Sequence, residues 1–279
     1  IVDYEREIMK YLKISTSVKE GVLVFDIGSN IGQYMLFFSD VVKKYQIDLI
    51  VIVAFGKILD DYILKYPKYM SLNVHASLLP KWRGAAPIQR ALLNGDTTTG
   101  VSIMRVEKKL DSGPVISLEK LKIKKKDNAG NLHNKLALIG ADILIKTIIK
   151  VYQNNYNFKF QNEEEATYAK KIEKTETRIN WNDSAFTIEK GIRAFSPWPG
   201  AWTVMQKPEK NRLKILDCET IKDEKIKDFN NVIGFCNKDL IVRCGRHFLK
   251  IKKIQKEGKK IMEGKEFING YKLKNFFLK

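Results

Sequence analysis

The sequence lacks the residues that build cross-linked or metal-held folds. Its 279 residues include three cysteines, Cys218, Cys236 and Cys244, and no two of them form a C-x-x-C pair. This odd, unpaired set argues against a disulfide framework and a zinc knuckle, and it fits a reducing compartment. No apolar run reaches the roughly 18–20 residues that span a bilayer. We therefore expect a protein without metal or membrane anchor, in the cytoplasm or, in a eukaryote, in an organelle matrix.

Acidic residues are too few to balance the basic ones. The chain has 50 Lys and Arg against 32 Asp and Glu, which gives a net charge of +18. Residues 243–279 carry twelve basic and three acidic side chains, or half of that net charge. Such an excess indicates contact with a polyanion such as nucleic acid. The alternative is a general bias toward lysine that leaves only a solvated basic face.

The first half of the chain predicts an α/β fold. The apolar run Val22–Phe25, a glycine-containing turn, a helical pattern over Tyr34–Lys44 and the β-branched run Asp48–Ala54 together form a βαβ unit. A unit of this kind implies a parallel sheet, here Rossmann-like. Two more strands and two helices are predicted in this half: Met70–His75, Thr99–Val106, Pro87–Asn94 and Ala129–Tyr152.

The second half of the chain has a different texture. Residues 153–182 are polar and show little periodicity, which is typical of a linker or a domain boundary. Beyond a short helical start near residue 185, the pattern predicts five short strands, at 201–206, 213–219, 231–235, 239–244 and 247–254. Short strands at such regular spacing indicate a small closed or half-closed barrel.

Three polar side chains stand out at the ends of predicted strands. Asn73 and His75 are two residues apart, so on a strand they project to the same side, and Asp111 follows the next strand. Sites in open α/β sheets form beyond the carboxyl ends of the strands. An amide, an imidazole and a carboxylate can hold a carbonyl, move a proton and orient the group that moves it. The alternatives are a structural histidine and an aspartate that caps its own Asp-Ser-Gly-Pro turn.

A longer pattern surrounds these candidates. Residues 73–89 read N-V-H-x-S-L-L-P-x-x-R-G-A-A-P-I-Q, residues 95–104 read G-x-x-x-T-G-V-S-I-M, and residues 110–114 read L-D-S-G-P. These motifs resemble the folate-dependent formyltransferases, and within them most closely the methionyl-tRNA formyltransferases. The resemblance runs from about Asp48 to the end of the chain. It also includes Arg178–Trp181, Arg193–Trp202 and Gly270–Lys274.

The resemblance implies an active site and two substrates. The catalytic residues of the family fall on Asn73, His75 and Asp111, and its folate-contacting loop falls on Ser77, Leu78, Leu79 and Pro80. The implied reaction moves a formyl group from 10-formyltetrahydrofolate to the amino group of methionyl-initiator tRNA, in translation initiation and without a metal. The family's second domain is an OB-like barrel that grips the tRNA, and we expect a monomer.

The start of the chain departs from this family. Residues 24–38 resemble the first motif of S-adenosylmethionine-dependent methyltransferases of the FkbM-like kind, which suggests a chimeric N-terminus. We expect its strand to lie in the sheet beside residues 50–54. The segments expected are a foreign βα segment at 1–45, a formyltransferase domain at 46–165, a linker at 166–184 and an OB-like tRNA-binding domain at 185–279.

Several functional alternatives follow from this departure. The chain could be a catalytically impaired, tRNA-binding relic of the enzyme, or another folate-dependent formyltransferase. A methyltransferase is disfavoured because the remainder of that fold is absent from the sequence. Trp198 and Trp202, on either side of Pro199, also have two interpretations. They stack on nucleic-acid bases or they pack between the domains.

Overall fold

The chain folds into two compact units. The structure is a computed structural model that describes residues 21–26, 47–53, 64–207, 211–225, 233–236, 239–269 and 277–278. The first unit falls within Ile1–Ile88, Thr97–Lys124 and Leu132–Lys171, and the second within Gln89–Asp96, Lys125–Asn131 and Ile172–Lys279. The helix predicted at Tyr34–Lys44 lies outside the described residues. None of the helices in the described ranges is both long and apolar enough to cross a membrane.

The first unit contains a five-stranded sheet with the order β1-β2-β3-β5-β6. Its strands are β1 (Gly21–Asp26), β2 (Ile47–Val53), β3 (Met70–His75), β5 (Thr98–Arg105) and β6 (Val115–Lys122). A separate two-stranded sheet pairs β4 (Arg83–Gly84) with β7 (Tyr168–Ala169). Strand β1 runs parallel to β2, which confirms the predicted position of the N-terminal strand beside residues 50–54.

The sheet is mixed, and the prediction of a parallel sheet holds only for its first three strands. β2 and β3 run parallel, but β3 and β5 pair antiparallel, and so do β5 and β6. For β5 and β6 the physical reason is the short connection from Arg105 to Val115. A parallel pair needs a crossover of a dozen or more residues, whereas a short loop can join only antiparallel neighbours. That loop carries Asp111, so the reversal of direction also places a candidate site residue.

Two helices begin and end where the sequence predicts. Helix α1 (Pro87–Asn94) starts on a proline, whose missing N–H costs nothing in a first turn, and ends before Gly95 at φ 81°. Helix α2 (Ala129–Tyr152) has a reciprocal cap. The Asn131 backbone N–H donates to Asn128 Oδ1 over 2.9 Å, and the Asn128 N–H donates to Asn131 Oδ1 over 3.0 Å. These bonds satisfy two backbone donors at the helix start.

The second unit is built on an antiparallel sheet with the order β10-β11-β12-β9-β8-β14, to which β13 adds beside β12. Its strands are β8 (Ala201–Lys207), β9 (Asn211–Ile221), β10 (Ile233–Cys236), β11 (Asp239–Arg243), β12 (Phe248–Lys256), β13 (Ile261–Glu263) and β14 (Phe277–Leu278). Its helices are α3 (Ala185–Phe195) and α4 (Gly264–Asn269). Among these described strands no pairing joins β10 to β14. A strand-rich unit is therefore confirmed, and its closure into an OB-like barrel stays a prediction.

Gly100 of β5 shows how tightly the first unit is packed around the predicted folate loop. A Cβ at this position would collide with the Glu119 carbonyl oxygen of β6 and with Leu78 Cδ2. Gly191, within α3, is the opposite case. A Cβ there meets nothing closer than the Phe195 ring at 3.8 Å.

We expect alanine to have opposite effects at these two glycines. Gly100→Ala should lower the free energy of unfolding of its unit by about 1–3 kcal/mol, because an overpacked neighbour must move. Gly191→Ala should raise that of the second unit by about 0.5–1 kcal/mol, because alanine loses less entropy than glycine in a helix. Urea denaturation of the two variants measures both changes. Equal effects of one sign would contradict this account of the packing.

Candidate active site

The structure brings Asn73, His75 and Asp111 together. Asn73 and His75 lie on the C-terminal half of β3, and Asp111 lies in the loop between β5 and β6. The Asn73 Nδ2–H donates to Asp111 Oδ1 over 3.2 Å, and His75 Nδ1 lies 3.6 Å from Asp111 Oδ2. The imidazole contact is an ion-pair distance, too long for a hydrogen bond. A cluster of amide, imidazole and carboxylate thus forms at the strand end, as the sequence predicts.

His75 is held on both sides of its ring. The side chain is only 6% exposed. Its Nε2 lies 2.8 Å from the backbone carbonyl oxygen of Trp82. Because a carbonyl can only accept, this nitrogen carries the hydrogen, and Nδ1 is left to face the carboxylate of Asp111. The imidazole is oriented by its neighbours, and one of these two contacts must open before a ring nitrogen can touch a substrate.

The Asp111 carboxylate does not cap its own turn. Its Oδ2 accepts the backbone N–H of Gly84 over 2.8 Å, while its Oδ1 accepts from Asn73. The turn is closed instead by the Ser112 N–H and hydroxyl, which both donate to the Lys109 carbonyl oxygen. Asp111 has φ 47°, a left-handed conformation that aspartate and asparagine tolerate better than most residues. The geometry therefore argues against the alternative that Asp111 only caps its own turn.

The loop Ser77–Pro80 divides into a buried and a reachable half. Ser77 and Leu79 are 1% and 7% exposed, and the Leu79 N–H donates to Ser102 Oγ over 3.1 Å. Ser102 in turn donates to the Ser77 carbonyl oxygen over 2.7 Å. Leu78 and Pro80 are half-buried. Two of the four residues predicted to contact folate thus build the loop, and the other two leave side-chain surface that a ligand can reach.

Several residues that support the loops of the site were not identified as candidates from the sequence. Arg83 is fully buried, and its guanidinium donates to Gln161 Oε1 and, in a two-pronged contact, to both carboxylate oxygens of Glu163. Hydrogen bonds from Arg83 and Lys109 hold the pKa of Glu163 at about 2. Burial alone lowers the pKa of Arg83, but its bonds to Glu163 and Tyr168 outweigh that effect and raise it. Gln161 and Glu163 belong to the polar stretch 153–182, whose sequence indicates only a linker or a domain boundary.

Other catalytic chemistries find little support in the described ranges. Burial raises the pKa of the Cys244 thiol to about 12, and burial also raises that of Cys218 well above its ordinary value. Both are free thiols of the second unit and are poor nucleophiles in this state. In the same described residues no group of three or more His, Cys, Asp or Glu side chains could hold a metal ion. The cluster at Asn73, His75 and Asp111 can instead hold an oxygen and relay a proton.

Two family models match the chain. The model described as formyl transferase matches residues 28–148, and the model described as formyl transferase, C-terminal domain, matches residues 171–272. The first match starts inside the segment 1–45, so formyltransferase similarity reaches into the region that we expected to be foreign. The boundaries of that segment and of the linker stay predictions.

Relatives and solved structures agree with this assignment. A methionyl-tRNA formyltransferase of Methylococcus capsulatus is 41% identical over 81% of this chain and 72% of its own length. One of Staphylococcus aureus is 40% identical with the same coverage. The crystal structure of HypX from Aquifex aeolicus in complex with tetrahydrofolic acid has the same fold over 85% of this chain, with 13% identity and a TM-score of 0.63. This chain spans 43% of that longer protein. The chain therefore belongs to the methionyl-tRNA formyltransferase family.

Proposed function

We propose that this protein transfers a formyl group from 10-formyltetrahydrofolate to the amino group of methionyl-initiator tRNA, in translation initiation. The observation that carries the proposal is the convergence of Asn73, His75 and Asp111 at one strand end. It occurs in a chain about 40% identical to enzymes of that name. We propose residues 46–165 as the catalytic domain and 166–184 as a linker. Residues 185–279 would form an OB-like tRNA-binding domain of a cytoplasmic monomer.

Asn73 supplies the donor for the formyl oxygen in this proposal. Its amide carries two hydrogens, of which the described contacts use one, toward Asp111. When an amine attacks a formyl carbon, negative charge grows on the oxygen, and the second N–H can meet it. A donor placed for a developing oxyanion is worth about 2.7–4 kcal/mol of the barrier. The bond to Asp111 fixes the amide before the reaction, so little reorganisation is needed.

His75 and Asp111 handle the proton in this proposal. His75 takes up the proton that the attacking amine loses and returns it to the leaving nitrogen of the donor. It does so at Nδ1, or at Nε2 released from Trp82 in the tautomer whose hydrogen lies on Nδ1 and faces Asp111. The Asp111 carboxylate, 3.6 Å from Nδ1, favours the charged imidazole that exists between these steps. Hydrogen bonds from the Gly84 N–H and from Asn73 hold the Asp111 carboxylate in place.

The folate donor supplies the formyl group and fits the loop Ser77–Pro80 in chemical terms. Leu78 and Pro80 offer apolar surface to a flat heterocycle, while the bonds of Ser102 to Ser77 and Leu79 keep the backbone in one conformation. A rigid loop of this kind binds without the cost of ordering side chains. We propose Leu78 and Pro80 as the folate contacts, with Ser77 and Leu79 supporting them.

Formylation of methionyl-initiator tRNA by the purified chain, with 10-formyltetrahydrofolate as donor, tests the function. We expect turnover by the wild type. In His75→Ala, kcat should fall by at least about 100-fold, because no side chain is left to transfer the proton. The affinity for tRNA should stay within about 2-fold, since the site residue acts on the reacting atoms. His133→Ala, on α2, is the control. tRNA binding without turnover by the wild type would select the impaired relic instead.

Asp111→Asn separates the charge of the carboxylate from its shape. Asparagine tolerates the left-handed backbone at position 111, and its amide oxygen can still accept from Gly84. The negative charge beside His75 is lost, so we expect kcat to fall by at least about 100-fold while the melting temperature changes little. Steady-state kinetics and thermal melting measure the two effects. A variant with wild-type kcat would remove Asp111 from the mechanism.

The second unit offers two features to the tRNA. Trp198 is 73% exposed, on a turn tied to the start of α2 by a 3.1 Å bond from the Gly130 N–H to the Ser196 carbonyl oxygen. Lys125 and Lys126 are exposed on the segment that leads into α2. An exposed aromatic ring suits an unpaired base, and exposed cations suit its phosphate. Trp202, in contrast, is half-buried against two guanidinium groups, those of Arg178 and Arg212.

The described basic residues within 243–279 offer less charge to the tRNA than their number suggests. Lys250 and Lys265 both pair with Asp239, and Lys252 pairs with Glu219. These cations are partly neutralised by carboxylates on neighbouring strands. The exposed side chains of Lys253, Lys259 and Lys260 remain for a phosphate backbone.

Trp198→Ala tests the role of the exposed ring. We expect tRNA affinity to weaken by about 1–3 kcal/mol, or roughly 5- to 150-fold in Kd, because a stacking surface is lost. Phe160→Ala is a matched control, since its ring is 75% exposed but lies in the first unit. Filter binding at two salt concentrations gives both affinities and their salt dependence. Equal losses in the two variants would argue against stacking at Trp198.

A further inference from the structure

Gln161 is bonded through both ends of its side-chain amide. Its Nε2 donates to the Asp111 carbonyl oxygen over 2.9 Å and to the Gly113 carbonyl oxygen over 2.7 Å. Its Oε1 accepts from Arg83 Nε over 3.0 Å. One side chain thus joins the turn that carries Asp111 to the loop that ends in Arg83 and Gly84.

Both segments that Gln161 joins are connected to the carboxylate of Asp111. Asp111 Oδ2 accepts from the Gly84 N–H, and Gly84 is the residue next to Arg83. Arg83 is fixed in turn by Glu163, whose carboxylate also accepts from Lys109. The Arg83 N–H donates to the Thr167 carbonyl oxygen over 2.8 Å. The bridge is therefore supported from a third segment, residues 161–169.

The turn at Asp111 needs such support. Asp111 has a left-handed φ of 47°, and a non-glycine residue in that region costs free energy that its surroundings must offset. Gly113 has no room for a side chain, because a Cβ there would collide with the Arg105 carbonyl oxygen. The two carbonyls that Gln161 binds belong to the strained residue Asp111 and to Gly113, two positions later in the same turn. Removing that donor leaves the turn free to relax and to carry the carboxylate away from His75.

We propose that Gln161 is a positioning residue for formyl transfer, which sets the distance between Asp111 and His75 by tying the Asp111 turn to Arg83. The proposal rests on the proposed function. A positioning role differs from a structural role because Gln161 then affects the placement of one carboxylate and not the stability of the first unit.

Three substitutions of Gln161 and Arg83 separate the two ends of the bridge. Gln161→Met keeps the length and loses every hydrogen bond. Gln161→Glu keeps an acceptor for Arg83 but cannot donate to the two carbonyls. Arg83→Lys keeps a cation near Glu163 but cannot bind Gln161 and Glu163 with one planar group. Gln153→Ala, an exposed amide at the end of α2, is the control.

Steady-state formylation kinetics and thermal melting are measured for all four variants and the wild type. We expect Gln161→Met and Gln161→Glu to lower kcat by about 10- to 100-fold, with KM for the folate donor and for the tRNA within about 3-fold, because misplacement by an ångström acts on the reacting geometry. Arg83→Lys should lower kcat in the same way. Gln153→Ala should match the wild type.

Two outcomes would overturn the proposal. Wild-type kcat in Gln161→Glu would show that the donated bonds do not position Asp111. A rise in KM with unchanged kcat would assign Gln161 to substrate binding instead. An inactive wild type is a different result, because it removes the proposed function itself. In that case amide hydrogen exchange decides, since faster exchange at Gly84 and Ser112 in Gln161→Met would retain the bridge as a device that orders the turn.

Discussion

The carboxylate of Asp111 is the constraint on which the candidate site depends. Asn73 and His75 approach it from β3, and Gly84 approaches it from β4. A carboxylate has one oxygen for each of the two donors, Asn73 and Gly84, and a negative charge that faces the imidazole, which a neutral side chain of that size lacks. A strained turn that places this one charge therefore defines where the amide donor and the imidazole can act.

In the mixed sheet, that charge reaches the strand end only through the path of its loop. In a purely parallel sheet, the residues after β5 would leave from the same edge as those after β3. Because β5 runs antiparallel to β3, its end lies beside the start of β3, and the loop from Arg105 to Val115 must return toward Asn73. The Gly113 contact with Arg105 and the bonds of Gln161 hold the loop in that return path.

The sequence was a good guide to whatever depends on local pattern. Helix α2 was predictable from its periodicity, and Asn73 and His75 stood out because a polar pair at the end of a buried strand is unusual. The direction of β5 was not predictable from a βαβ pattern that stops before it. Gln161 was invisible because its partners are mainly backbone carbonyls, which every residue has, and because they lie about fifty residues away in the chain. Long-range bonds to backbone leave no trace in composition or periodicity.

The packing of Gly84 determines when the site can form during synthesis of the chain. It sits at φ 116° with the Ala169 carbonyl oxygen 2.9 Å from where a Cβ would be, so β4 is seated directly on β7. The N–H that holds Asp111 is thus fixed by residues synthesised some eighty positions later. On the ribosome, β3 and the Asp111 turn emerge well before their support does. The site can therefore reach its final geometry only after residues 161–169 have left the exit tunnel.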